Sequence, residues 1–147
     1  MTPSRTLLAA AMLAATCASA HAAEFTVKML NNGPGGMMVF DPPFTKVAVG
    51  DTVKFVATDK GHNVETIKNM APEGAVPVKG ALGKDETVTF DKEGVYGFKC
   101  SPHYIMGMVA MVVVGSNLEN LEKAKGLEQN KMAKQRFEPL FTQAAAK

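Results

Sequence analysis

The stretch Cys100-Ser101-Pro102-His103-Tyr104-Ile105-Met106-Gly107-Met108 offers a thiol, an imidazole and a thioether in the spacing C-x2-H-x4-M. His62 follows Lys60-Gly61 in a turn and can supply a second imidazole from a neighbouring loop. One cysteine, two histidines and a weak axial methionine suit copper in trigonal geometry: soft sulfur favours Cu(I), and imidazole serves both oxidation states. Such a set passes one electron with little ligand rearrangement. Each residue also has a plainer role. A lone cysteine on an apolar strand is ordinarily core, and a histidine beside glycine is ordinarily surface. Met106 and Met108, next to Val109, would ordinarily be strand-end packing. Zinc competes for the same cysteine and histidines, although structural zinc sites rarely include methionine. A Cys100 nucleophile activated by His103 is a further competitor, but no acidic or amide orienter and no oxyanion arrangement accompanies the pair.

The N-terminus bears on this choice. Met1 to Ala22 reads as a secretory signal peptide, with Arg5 as its positive region, Leu7 to Ala15 as its apolar core and Ala20-His21-Ala22 as its cleavage site. Cys17 does not suggest a lipid anchor, because Ala14 stands where a lipobox usually has leucine. Removing the first 22 of 147 residues leaves 125, and Arg5, Cys17 and His21 leave with them. The net charge moves from +2 to +1, with 15 basic against 14 acidic residues. One cysteine, Cys100, and two histidines, His62 and His103, remain, so no intramolecular disulfide can form. An exported lone thiol is buried, metal-bound or catalytic. The metal reading accounts for the whole mature inventory of cysteine and histidine at once.

The elements that must carry these residues are short and β-rich. Phe25–Met29, Met37–Phe40, Phe44–Val49, Thr52–Ala57, Glu86–Phe90, Val95–Cys100 and Val109–Val114 read as strands between glycine-, proline- and asparagine-rich turns. Val53, Phe55 and Ala57 share one face, as do Tyr96, Phe98 and Cys100. This spacing indicates an antiparallel sandwich or barrel. Beyond Gly115, Ser116 or Asn117 can cap a helix carrying Leu118 and Leu121 and stopping at Gly126. A second helix is expected from about Gln129, with Ala133, Phe137 and Phe141 on one face and with Pro139 kinking or dividing it. Its modest apolar stripe and mixed charges favour packing on the sandwich over a membrane surface. With 46% hydrophobic and 20% charged residues, no basic block and no apolar run of about 18, the chain suits one globular domain, with no nucleic-acid partner and no membrane span expected.

Asp51-Thr52-Val53-Lys54-Phe55, Gly61-His62-Asn63-Val64-Glu65 and Tyr96-Gly97-Phe98-Lys99-Cys100 resemble the cupredoxins, the type 1 blue copper family. The segment from Cys100 to Val109 and the two-helix tail resemble a branch distinct from plastocyanins and amicyanins, which lack the tail. The resemblance spans essentially the whole mature chain. It implies a mainly β, Greek-key sandwich over 23–115 with a helical extension over 116–147, forming one domain. It also implies one copper ion held by His62, Cys100, His103 and Met108. Amicyanin spacing, C-x2-H-x2-M, would choose Met106 instead, while the tailed context favours Met108. Ile105 stands where many relatives have a small residue. Asn63 resembles the family asparagine that ties the two ligand loops together. Pro102 has no N–H to donate to the Cys100 sulfur and is expected to help exclude water.

The implied function is a monomeric periplasmic electron carrier, not an enzyme. Its implied partners are acidic redox proteins: a copper nitrite reductase, or a c-type or cd1-type cytochrome in denitrification. In this family the C-terminal ligand histidine, here His103, turns an imidazole edge to the surface. Met37 or Met38, Pro42, Pro43, Pro102 and Met106 are candidates for an apolar patch around it. Lys46, Lys60, Lys79, Lys99 and Lys28 are candidates for steering acidic partners. The alternative is a periplasmic copper carrier or chaperone, suggested by eight mature methionines, although these are scattered rather than clustered.

Overall fold

A computed structural model describes residues 21–146, so the signal-peptide segment up to residue 20, with Cys17, lies outside the described residues. Among the described residues, eight strands form two four-stranded sheets. The first has the order β2 (Gly36–Asp41), β1 (Glu24–Gly33), β4 (Thr52–Val56), β6 (Glu86–Thr89). The second runs β3 (Phe44–Val47), β8 (Val109–Val114), β7 (Gly94–Lys99), β5 (Glu65–Thr66). The expected all-antiparallel pairing is corrected at two places: β1–β4 and β3–β8 are parallel. The chain leaves the first sheet after β2, contributes β3 to the second, and returns as β4, so strands that become neighbours run in the same direction. A period-2 apolar pattern carries no information about strand direction, which is why the sequence does not reveal this.

The core between the sheets gathers Val27, Met29, Val53 and Phe55 with Phe98, Cys100, Met108, Ala110 and Val112. Phe98 anchors β7 two residues before Cys100, its ring centroid 5.1 Å from that of Phe55. The outer face of the second sheet is also covered. Val95, Val109, Met111 and Val113 pack against Ala133, Phe137, Leu140 and Phe141 of the C-terminal helix. This explains why β8, Val-Ala-Met-Val-Val-Val, is apolar on both faces. At Gly97 an added Cβ would collide with the Met70 sulfur, so this glycine lets the Met70 side chain lie on the strand.

The tail forms α1 (Leu121–Lys125) and α2 (Lys131–Ala145). Neither Ser116 nor Asn117 caps α1; its N-cap is Asn120. The Asn120 side chain makes no cap bond because it pairs with the backbone of Val95 in both directions, at 2.9 and 2.8 Å. Gly126 ends α1 as expected. Asn130 caps α2 by accepting from the Ala133 amide at 3.0 Å. Pro139 does not divide α2, which continues to Ala145. Burial of Phe137, Leu140, Phe141 and Ala144 on both sides of the proline offsets the one backbone bond it removes.

Candidate metal centre

Cys100 follows the last residue of β7 and begins the turn that carries most of the site. The turn is a 3-10 helix, Ser101–Met106, with Pro102 in its first turn, where a missing N–H costs nothing. Gly107 ends it in the left-handed region, at φ 81. A Cβ there would stand 2.9 Å from the Met132 carbonyl oxygen of α2. The loop closes on its own backbone: the Cys100 amide donates to the Met108 carbonyl at 3.0 Å, and the Met108 amide donates to the His103 carbonyl at 3.2 Å. Met108 is thereby brought back beside Cys100 in the same buried cluster. Met106 is 37% exposed on the 3-10 helix.

His62 enters from the other side, fully buried. Its Nδ1 lies 3.1 Å from His103 Nδ1, and the Cys100 sulfur is 3.6 Å from the first nitrogen and 3.5 Å from the second. These three atoms form a nearly equilateral triangle whose centre is about 2 Å from each corner, a metal–ligand distance. Among the described residues this trio is the one group of His, Cys, Asp and Glu side chains converging in this way. The donor set, one soft sulfur and two imidazole nitrogens, fits copper.

Hydrogen bonds fix the triangle. His62 Nε2 meets Asn31 Oδ1 at 2.8 Å, so Nε2 carries the proton and Nδ1 turns a lone pair inward. Burial, then the neighbouring His103, lowers the His62 pKa, while Asp59 opposes them. A neutral ring, ready to donate its lone pair, is therefore favoured. Burial raises the Cys100 pKa; the Asn63 and His103 amides pull it down, and Glu65 adds to the rise. A bound metal ion has to displace that thiol proton. Asn63 Oδ1 accepts from the Ser101 amide at 2.8 Å, while its Nδ2 donates to the Gly80 carbonyl and to Glu65 Oε1, each at 3.1 Å. One asparagine thus links the His62 segment to the Cys100 loop.

The expected surface residues fall in different places. Pro102 is exposed and His103 half-buried. Met37 (57% exposed) and Ile105 (72%) project as large apolar groups, while Met38 is half-buried. Pro42 and Pro43 are exposed, and the Pro43 carbonyl accepts from Met111. Lys60 is exposed in the turn before His62. Glu65 pairs with Lys99 on one side and bridges to Lys79 on the other, which puts both lysines at the ligand-loop end of β5. The Lys99 ammonium also lies 5.3 Å from the Tyr104 ring centroid. Lys28 is exposed on β1, between Asp41 and Val56. Lys46 sits opposite Val113, four positions along β8 from Val109, or roughly 13 Å at strand rise, towards the far end of the sheet.

Two residues of the site are absent from the sequence-based expectations. Asn31, in an Asn-Asn-Gly-Pro turn, reads as a turn former, and Arg136 reads as a solvated helix residue. Nothing in the spacing signals their contacts, which span 31 residues to His62 and 98 to Met38.

Fold and site together define a copper-binding β-sandwich, and residues 27–115 match the model of the copper-binding proteins of the plastocyanin/azurin family. The chain belongs to this family and, within it, to the pseudoazurins. It is 61% identical to the pseudoazurin of Methylorubrum extorquens over 142 residues, covering 95% of this chain and 96% of that protein. It is 45% identical to the pseudoazurin of Paracoccus pantotrophus, over 92% and 93% of the two chains. The crystal structure of pseudoazurin from Methylobacterium extorquens AM1 superposes with a TM-score of 0.80 at 62% identity, covering 82% of this chain and 98% of that one.

Proposed function

We propose that this protein is an exported one-electron carrier whose type 1 copper would be held by His62, Cys100, His103 and Met108. The observation that carries this reading is the set triangle of Nδ1, Nδ1 and Sγ, with edges of 3.1, 3.5 and 3.6 Å. A copper ion bound there would supply a Cu(I)/Cu(II) couple. The protein's own part is to keep the ligand positions fixed, so that little reorganisation accompanies electron transfer. Asn31 orients His62, Asn63 ties the two loops, and the turn bonds hold Cys100 beside Met108. Burial of Met108, against the exposure of Met106, supports Met108 as the fourth ligand. With four side chains around the metal, no position is left for a substrate, and the role is that of a carrier rather than an enzyme.

With copper bound, the half-buried His103 ring would be the exit for the electron, beside the exposed Pro102, Ile105 and Met106 of the same turn. Lys60, Lys79 and Lys99 around the ligand loops attract acidic redox partners, such as a copper nitrite reductase or a c-type or cd1-type cytochrome of denitrification, into a short-lived complex. Export to the periplasm rests on the signal sequence. Ala23 belongs to the sandwich: its amide donates to Asp51 at 2.8 Å and its carbonyl accepts from Thr52 at 2.9 Å. His21 and Ala22 are exposed and outside any strand, so cleavage after Ala22 removes nothing from the sandwich.

The test is optical. Copper-loaded, oxidised protein shows an intense visible thiolate-to-copper band that bleaches with one electron equivalent and returns on reoxidation. A colourless copper complex, or one that yields its metal to a weak chelator, would instead support metal carriage.

A further inference from the structure

Arg136, in the middle of α2, makes no ion pair among the described residues. Its guanidinium is spent on three backbone carbonyls. Nη1 donates to the Met38 oxygen at 2.7 Å and to the Gly107 oxygen at 3.2 Å, and Nη2 donates to the Met37 oxygen at 2.8 Å. Burial lowers its pKa, and the planar fork still suits several acceptors at once. Gly107 and Met108 share one peptide unit, and both polar ends of that unit are held. Arg136 binds its carbonyl, and the His103 carbonyl accepts its N–H at 3.2 Å. The orientation of this peptide plane sets the direction in which the Met108 side chain leaves the backbone.

The second anchor of the guanidinium is also unusual. Met38 has φ 49, a left-handed conformation that side-chain-bearing residues rarely adopt. The β1–β2 ladder pairs Leu30 with Val39 and Asn32 with Met37, and omits the pair between them, Asn31 with Met38. The Met38 carbonyl is turned to Arg136 instead. Asn31, whose partner is thus removed from the ladder, is the residue that holds His62 Nε2. The guanidinium therefore joins β2, the strand paired with that of Asn31, to the segment that ends in Met108. Asn130, which caps the same helix, donates to the Tyr104 carbonyl at 2.9 Å, a second tie from α2 to the ligand loop.

We infer that Arg136 is a positioning residue for Met108: through the Gly107 and Met38 carbonyls it fixes the peptide before Met108, so that the C-terminal helix sets the placement of the Met108 thioether. This rests on the ligand set proposed above. The C-terminal helix then does more than cover the sheet.

The test uses Arg136→Met, which keeps the bulk of the stem and removes every donor, and Arg136→Lys, which keeps the charge and loses the fork. Phe141→Ala, a buried α2 residue in the outer core, is the control for a loosened helix. In the copper-loaded protein, Arg136→Met changes the ratio of the visible thiolate-to-copper bands and moves the midpoint potential, Arg136→Lys does so to a smaller degree, and Phe141→Ala lowers the melting temperature alone. In the metal-free protein, loss of the charge-assisted bond speeds exchange of the Met108 amide by roughly tenfold. That second reading is independent of copper, so a wild type lacking the intense band would count against the proposed function while leaving the exchange result to judge Arg136. An Arg136→Met protein with wild-type band ratio, potential and Met108 exchange overturns the inference, as does a Phe141→Ala protein that shifts all three equally. Should Arg136→Met fail to fold, the same criteria apply to Arg136→Lys.

Discussion

The two ligand-bearing segments are built on different plans. His62 is fully buried and held from outside its own segment: Asn31 takes its Nε2, and its carbonyl accepts from the Gly83 amide. The segment from Cys100 to Met108 adds turn bonds of its own backbone to ties from Asn63, Asn130 and Arg136, and closes a 3-10 helix whose outer surface is exposed. The difference assigns distinct duties. A ligand braced by distant side chains is a dry, fixed point, whereas a ligand on a surface turn can meet another protein while staying in register. Asn63 is the tie between them.

Breaking that tie should have the largest effect. Asn63→Ala leaves the Ser101 amide and the Gly80 carbonyl without their partner, at a cost of about 2–4 kcal/mol in the metal-free protein. Urea titration checks this, and an unchanged midpoint would mean that the two segments do not depend on each other. Acid should come next. Because the folded state lowers the His62 pKa, the unfolded chain takes up the proton first as pH falls. The stability from neutral His62 is fully present above about pH 6.5 and is lost as pH falls through the lower folded value. Metal-free stability measured from pH 8 to 4 should show this decline, and His62→Gln should flatten it.

Changes on the exposed segment should be milder. Pro102→Ala supplies an N–H near the Cys100 sulfur and also alters access of water; the midpoint potential is expected to move measurably while stability stays nearly constant. An unchanged potential would mean that Pro102 has no influence on the metal centre. Smallest are the effects of single lysines. Transfer to an acidic partner should slow as salt rises. Neutralising Lys60 or Lys79 should lower the rate at low salt by a few-fold, and neutralising Lys46, towards the far end of its sheet, by less. Equal effects at all three would leave only net charge at work.

The same contrast governs what could be read from the sequence. The surface turn was legible because its chemistry lies in residue types at short spacing: Cys100, His103 and Met108 fall within nine residues. Most strand segments were legible from alternation and turn residues, as was the apolar face of Ala133, Phe137 and Phe141. The bracing was not. Asn31 and Arg136 act through contacts made only after β1, β2 and α2 come together, and locally they look like a turn former and a solvated cation. Pro139 misleads for a related reason, since propensity predicts a break where tertiary burial carries the helix through. Asn120, likewise, spends its side chain on Val95 instead of on its own helix.

X-ray absorption at the copper edge reads the ligand set itself. The loaded protein at pH 7 should show one sulfur and two nitrogen neighbours at about 2 Å, in both oxidised and reduced forms, because the triangle of His62, Cys100 and His103 is already set by the fold. A copper environment without a sulfur neighbour, or one that gains or exchanges ligands on reduction, would contradict it.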